Sequence, residues 1–436
     1  MEKTSYERWI EDCINQGNKS INLTFKSLRD YQLNKIRETI DYVKKNSSFY
    51  RERLKNVNSY EIKDYNDFSQ IVPFTYSQEL SNKPLDFVCV PQHMISRIVT
   101  LKTSGTTGTS KRVFFTEEDL ERTVDFFQNG MKYLISKGDR VLILMPGNYY
   151  GSIGDLLKRG LERLGCEGIA LGPVDDGLKV LEGLKNESID CIVGIPVQVY
   201  QLARYKMAYE KYKGIKLKSV LLSADYVPYS IKKVIEKAFS CSAFTHYGMT
   251  EMGFGGGVEC KYLCGYHMRE ADLYFEIIDP VSQETLPWGD EGEIVFTTLT
   301  RKGMPLIRYR TGDLGSFMKE RCKCSNVLPR MDYVRGRISE GIKLGDVNIN
   351  IGALDEAMFT IENLLDYRAH LEEGNILQIW VKSIDPKNPV SLVDIEKAFY
   401  SSIIWGLLKE GKLNINYCGE IEDIQISTGM LKRKLV

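Results

Sequence analysis

The stretch CIVGIPVQVYQLARYKMAYEKYKGIKLKSVLLSA, Cys191 to Ala224, decides the fold. It opens on a short apolar run, CIVGIP (191–196), that reads as a strand. It continues through VQVYQLARYKMAYEKY, which reads as a helix, and closes on a second strand, SVLLSA (219–224). The same alternation extends outward on both sides. Upstream, RVLILMP (140–146) is a short buried strand, and IGDLLKRGLERLG (153–165) is an amphipathic helix ending at Gly165. Downstream, SIKKVIEKAF (230–239) is a helix that leads into SAFTHYGMTE (242–251). Strands and helices in strict alternation imply a largely parallel sheet covered by helices, with ligands taken at the carboxyl ends of the strands.

Beyond this α/β block the texture changes twice. LYFEIIDP (273–280) and GEIVFTTL (292–299) read as an antiparallel β region, and after Arg335 a compact α+β tail begins. Before the block, LRDYQLNKIRETIDYVKKNSSFYRERL (28–54) is helical, with Leu33, Ile36, Ile40 and Val43 on one face. The expected fold class is therefore α/β: a large domain, 1–335, with mainly parallel, helix-covered sheets plus an antiparallel region, and a small α+β domain, 336–436. A chain of 436 residues is long enough for two cores.

Composition narrows the function. Lys+Arg and Asp+Glu both number 58, so the basic surplus of a nucleic-acid binder is missing. No apolar run approaches the ~20 residues that span a bilayer, and the start, MEKTSYERWIEDC, lacks the apolar core of a signal peptide. The expectation is a cytoplasmic protein without membrane or nucleic-acid partners, its ten cysteines reduced. Six of them (Cys13, Cys89, Cys166, Cys191, Cys241, Cys418) are scattered and read as ordinary thiols.

TLKTSGTTGTSKRVFF (100–115) places a Gly/Ser/Thr loop between two β-like runs. Such a loop offers backbone N–H groups, hydroxyls and close approach to a phosphate, and Lys111 adds a point charge. It is not the G-x-x-x-x-G-K-[ST] loop of kinases and ATPases, because Lys111 runs into Val113-Phe114-Phe115 and not into a helix. On its own it reads equally as a polar hairpin loop or as a phosphate cradle.

Three more stretches follow in order: THYGMTE (245–251), RYRTGDLG (308–315) and VRGRISEGIKLGDVNI (334–349). Together with the loop they resemble the adenylate-forming superfamily of acyl-CoA synthetases, adenylation domains and luciferases. GYHMREAD before EIIDP, and SSFYRERL near the start, resemble its phenylacetate–coenzyme A ligase branch. The loop departs at Ser110, where the superfamily usually has Pro. The resemblance implies that Thr103, Ser104, Gly105, Thr106, Thr107, Gly108 and Lys111 hold the β- and γ-phosphates of ATP. It places Tyr247 and Gly248 against adenine, Thr250 at the α-phosphate and Glu251 on Mg²⁺. It lines the base pocket with Ser223, Ala224 and Asp225, sets Asp313 on the ribose hydroxyls, and gives Arg337 to ribose or phosphate. His246 either faces the acyl carboxylate or packs. Ser339 matches a hinge that makes the tail domain mobile. The superfamily's adenylation lysine follows a glycine, but here Met430 follows Gly429, so Lys432 is the nearest candidate.

CKYLCGYH (260–267) and CKC (322–324) add four thiols and an imidazole. Cys260, His267, Cys322 and Cys324 suit a closed, structural tetrahedral Zn²⁺ site, with Cys264 as the substitute for Cys260. The alternative is free thiols on two loops.

The expected function is an ATP-dependent, AMP-forming ligase joining a small carboxylic acid, of aryl type or related, to CoA through an acyl-adenylate. Loading of a carrier-protein thiol and an inactive nucleotide-binding regulator stay open as alternatives, as does a homodimer. Tyr149, Tyr150 and Phe254 are candidates for the acid pocket, with packing as their other reading.

Overall fold

A computed structural model describes residues 3–15, 22–101, 110–324, 326–339, 341–345, 347–421, 433 and 435. The chain divides into two compact units. The first comprises 1–133, 149–164 and 246–334, and the second 134–148, 165–245 and 335–436.

The second unit holds the block read from Cys191–Ala224. Glu167–Ala170, Arg140–Leu144, Cys191–Gly194, Ser219–Leu222 and the start of Ser242–Tyr247 lie side by side in that order, all parallel. Every residue of Cys191–Gly194 and Ser219–Leu222 is buried, which is why these runs are dominated by apolar residues instead of alternating. The helix between them, Pro196–Ala208, starts on a proline, whose missing N–H has no partner to lose in a first turn. Asp176 caps the helix Gly177–Asn186 by accepting from the Leu178 and Lys179 amides. The tail of the chain forms an antiparallel pair, Leu364–Glu372 with Ile376–Ser383, and Asn414–Glu420 joins the latter in parallel. Helices Ile351–Met358, Leu392–Phe399 and Ile403–Lys409 cover it. Ile376–Ser383 alternates buried and half-buried residues, the pattern of a strand with one face on a core. The α/β reading and the α+β reading of the tail both hold.

The first unit is mixed. Its helix Phe25–Asn46 buries Ile36, Ile40 and Val43 along the stripe read from the sequence, while Leu33 is only partly covered. Thr24 and Ser27 close a capping box at its start, and a new helix, Ser48–Arg53, follows at once. Ile95–Leu101 and Lys111–Thr116 pair antiparallel, so the Gly/Ser/Thr loop joins two hairpin strands, as its flanks suggested. Leu273–Ile278, Gly292–Thr298 and Tyr309–Gly315 form a three-stranded antiparallel sheet, the second change of texture seen in the sequence. The last residues of Ser242–Tyr247 pair antiparallel with Gly257–Glu259, which pairs with Tyr266–Met268, and that with Arg330–Met331.

Arg308 fixes the antiparallel sheet to the helical start. Its guanidinium lies in a buried ion pair with Glu276, 3.0 Å from Oε1, and donates to the Ser69 and Val72 carbonyls at 2.6 and 2.8 Å. It also sits 4.0 Å over the Phe74 ring. A buried cation stripped of its carboxylate cannot recover its hydration. Glu276→Leu is therefore expected to lower the unfolding free energy by about 3–5 kcal/mol in urea titration. A change under about 1 kcal/mol would show that the Ser69 and Val72 carbonyls carry the charge unaided.

Candidate active site

The hairpin strand Lys111–Thr116 starts at the lysine that closes the Gly/Ser/Thr loop. Thr103, Ser104, Gly105, Thr106, Thr107 and Gly108 lie outside the described residues, but Lys111 does not. Its ammonium is 2.5 Å from Glu251 Oε1 and donates to the Tyr309 hydroxyl at 2.9 Å. That hydroxyl donates to the same carboxylate oxygen at 3.1 Å. Three motifs separated in sequence therefore meet at one oxygen. Glu251 is buried, and burial alone would push its carboxyl up. The Lys111 charge and its hydrogen bond outweigh that and hold the carboxyl below its usual range. Thr250 and Glu251 sit in one turn of 3₁₀ helix, Thr250–Met252, both side chains enclosed.

Tyr247 and Asp313 form the second cluster. The Tyr247 hydroxyl donates to Asp313 Oδ2 at 3.0 Å, and both side chains are buried. The turn that presents Asp313 is held by Thr311, whose hydroxyl accepts the Asp313 amide at 3.0 Å and donates to the Ile294 carbonyl at 2.7 Å. Gly312 has φ +75°, in the left-handed region where a side chain is strained. Gly248 is fixed by space: a Cβ there would lie 2.6 Å from the Phe254 carbonyl oxygen.

The sequence reading missed two residues of this site. Tyr309 stood inside the quoted RYRTGDLG, yet nothing there showed that its hydroxyl reaches Lys111 and Glu251. Arg301 donates to the Glu251 carbonyl at 2.6 Å and lies 5.1 Å over the Phe115 ring, so it holds the turn that carries the carboxylate. Burial pulls its guanidinium down to about 10. Phe254 stacks on Phe115 at 5.5 Å, the packing role, whereas Tyr149 and Tyr150 are exposed. His246 packs among Phe126 and Phe127, at 5.8 and 6.3 Å between ring centres.

In the second unit, Ser223 donates its amide to the Gly194 carbonyl at 3.1 Å, just past the strand end. Ala224 has φ +76°, a backbone state that costs an alanine of order 1 kcal/mol and so points to a function for the loop. Asp225 accepts the Tyr226 amide at 2.9 Å and the Arg433 amide at 3.2 Å. Arg337 is half-buried, Ser339 is exposed, and Lys432 lies outside the described residues.

The Cys/His set converges as read from the sequence. Cys260, His267, Cys322 and Cys324 place their ligand atoms within 4.8 Å of one another. Cys260 and Cys322 sulfurs are 3.6 Å apart, and Cys324 Sγ is 3.4 Å from His267 Nε2. These separations approach the edges of roughly 3.6–3.8 Å in a tetrahedron with Zn–S bonds of ~2.3 Å and a Zn–N bond of ~2.1 Å. Hydrogen bonding with Cys324, and then with His267, pulls the Cys260 thiol down to about 4. Burial would lower His267, but the Cys260 and Cys322 thiols outweigh it and raise the imidazole to about 9. Cys260 and Cys322 are thereby held towards the thiolate form that zinc needs, whereas the hydrogen bond with Cys260, and then burial, raise the Cys324 thiol. Cys264 is turned to another partner, the Arg330 guanidinium at 2.6 Å.

Residues 47–299 match the family profile described as AMP-binding enzyme. The chain is 28% identical over 363 residues to the phenylacetate-coenzyme A ligase of Pseudomonas putida, with 80% of each chain covered. It is 26% identical over 365 residues to that of Escherichia coli (strain K12), covering 80% of this chain and 82% of the relative. A 2-hydroxyisobutyryl-CoA ligase solved in its postadenylation state has the same fold, with a TM-score of 0.81 at 20% identity over 95% of this chain and 90% of that one. An anthranilate CoA ligase bound to anthranoyl-AMP is also similar, with a TM-score of 0.55 at 11% identity over 96% and 93% of the two chains.

Burial holds the His246 imidazole down to about 4. The unfolded chain takes a proton near 6.5, so stability from this group is complete above that pH and is lost as pH falls towards about 4. His246→Phe should flatten this part of the pH profile, removing a loss on the order of 3 kcal/mol between those limits. Urea titrations of both proteins from pH 7 to pH 4.5 check it: parallel profiles would mean that His246 is hydrated in solution.

Proposed function

Because the chain belongs to the AMP-binding enzyme family, we propose that it is an AMP-forming ligase that joins a small carboxylic acid to coenzyme A through an acyl-adenylate. The observation that carries this reading is the meeting of Lys111, Glu251 and Tyr309 at one buried oxygen, in the same unit as the Tyr247–Asp313 pair. The relatives that bear the name phenylacetate-coenzyme A ligase supply the acid–CoA pairing and favour an aryl acid.

In the first half-reaction the acid's carboxylate attacks the α-phosphorus of ATP, the bond to the bridging oxygen breaks, and pyrophosphate leaves. This chemistry needs placement and neutralisation of charge more than covalent help. Lys111 turns from Glu251 to the β- and γ-phosphate oxygens, which Thr103, Ser104, Gly105, Thr106, Thr107 and Gly108 also hold. Glu251, ionised and already facing a cation, fits Mg²⁺, which would screen the phosphates when bound. Thr250 takes the α-phosphate, and Tyr247 and Gly248 line one side of adenine. Ser223, Ala224 and Asp225 border the base, Asp313 takes the ribose hydroxyls, and Arg337 supports ribose or phosphate. Lys432 neutralises charge as pyrophosphate departs. In the second half-reaction the CoA thiolate attacks the acyl carbon and AMP leaves. The domain 336–436, turning at Ser339, serves both steps.

ATP–pyrophosphate exchange across a panel of aryl and small hydroxy acids, followed by loss of free CoA thiol, tests this reading. At least one acid should support both, and exchange with none would leave a nucleotide-binding protein without ligase chemistry. Thiol loss only with an added carrier protein would name the other acceptor. Asp313→Ala should weaken ATP binding by about 2 kcal/mol in isothermal titration, since the ribose hydroxyls lose a charged acceptor.

We further propose one structural Zn²⁺ on Cys260, His267, Cys322 and Cys324, a closed set with no open position for catalysis. Protein purified without chelator should carry close to one equivalent of zinc. Cys322→Ser should lower both the metal content and the melting temperature. A zinc-free preparation with an unchanged melting temperature would rule the site out.

A further inference from the structure

Arg433 carries a largely covered guanidinium that meets two buried carboxylates. Nη1 lies 2.6 Å from Asp366 Oδ1, and Nη2 lies 3.2 Å from Asp355 Oδ1. Nη2 also donates to the Tyr367 carbonyl at 3.3 Å, and the guanidinium sits 4.8 and 5.1 Å over the Tyr367 and Phe359 rings. Each aspartate is itself held. Asp355 accepts the Tyr367 hydroxyl at 2.6 Å, and Asp366 accepts Gln201 Nε2 at 3.2 Å. Taking a guanidinium out of water is costly unless carboxylates meet it in good geometry. Here two do, and both are themselves enclosed.

The same residue reaches the nucleotide loop. Its backbone amide donates to Asp225 Oδ2 at 3.2 Å, one residue after the strained Ala224. The side chain thus grips the α+β domain, while the main chain grips the loop assigned to the base pocket. Glu356 supports the same junction, accepting the Tyr226 hydroxyl at 2.9 Å and the Tyr229 amide at 2.8 Å. Lys432, the proposed adenylation lysine, is the covalent neighbour of Arg433.

We propose that Arg433 is a positioning residue for the adenylation half-reaction, locking the α+β domain at Asp355 and Asp366 to the loop at Asp225 while ATP is attacked. The inference rests on the adenylating reading above. An arginine suits the task because its rigid fork meets two carboxylates at once, which a lysine ammonium on a flexible stem does not. Small misplacement of a group acting on developing charge costs about a hundredfold in rate, so losing the lock is expected to cost that much in one step and little in the other.

The test separates the half-reactions in the full-length protein. Arg433→Gln should slow acid-dependent pyrophosphate release about a hundredfold. It should leave thioester formation from a chemically supplied acyl-adenylate within about twofold. Arg433→Lys, which keeps the charge without the fork, should recover about tenfold of the lost rate. Asp366→Asn should show the same split as Arg433→Gln. Equal losses in both half-reactions would make Arg433 a merely structural residue, and no loss in either would leave the lock without a role; each result overturns the proposal. A second readout is independent of turnover: hydrogen exchange of the peptide spanning 219–232 should quicken in Arg433→Gln. Unchanged exchange there overturns the lock even if the wild-type chain proves to activate no acid. Quickened exchange in a chain that releases no pyrophosphate would keep the lock and discard the ligase reading.

Discussion

The contact on which the site depends is the ion pair of Lys111 and Glu251, buried and shared by Tyr309. Neither charge could be enclosed alone, because each would lose its hydration without recompense. Paired, they can sit in a dry pocket before any ligand arrives, and the pocket then has its charges already aimed. The hairpin strand, the 3₁₀ turn and the antiparallel sheet are pinned to one another at this point. Arg301 extends the arrangement by holding the backbone of the carboxylate's own turn. On the proposed reading, nucleotide and Mg²⁺ would replace these ionic partners one for another, so that neither charge is left bare.

The fold was largely legible because its signals are local. Cys191–Gly194 and Ser219–Leu222 are buried on both faces, and that burial writes a run dominated by apolar residues into the sequence. The alternation of Ile376–Ser383 writes the opposite pattern, a strand covered on one side. The family resemblance singled out Tyr247, Glu251 and Asp313, which lie in two buried clusters, and the cysteine spacing singled out four residues whose ligand atoms converge. What remained hidden was whatever depends on distance across the chain. Lys111 and Glu251 are 140 positions apart, and Lys111 and Tyr309 are 198 apart. No local pattern predicts that their side chains meet. Arg433 was hidden for the same reason, since a basic residue in a basic tail reads as solvated until its two aspartates are seen. Phe254 and the exposed Tyr149 and Tyr150 show the converse limit: an aromatic near a motif may be assigned to the ligand or the core only once its neighbours are known.

The two readings of the resemblance, fold and chemistry, stand on different footing in physical terms. A fold is an average over many weak burial preferences, so 20% identity to a solved ligase is enough to keep it. Acid choice rests on a handful of pocket contacts, each of which a single substitution can reverse. On the proposed reading, the motifs that carry the resemblance hold ATP, while the residues that face the acid are not among them.

The Cys/His cluster also bears on the order in which the chain folds. Cys260 and Cys322 are 62 positions apart, and the whole antiparallel sheet, from Leu273 to Gly315, lies in the loop they close. Closing a long, empty loop costs chain entropy, whereas neighbouring strands can pair at short separation. On loop-closure grounds the hairpins of the sheet are expected to form before the thiols and imidazole are gathered. On the zinc reading, Cys260 and His267 are synthesised before Cys322 and Cys324, so the ion can be enclosed only once the segment between them has been made.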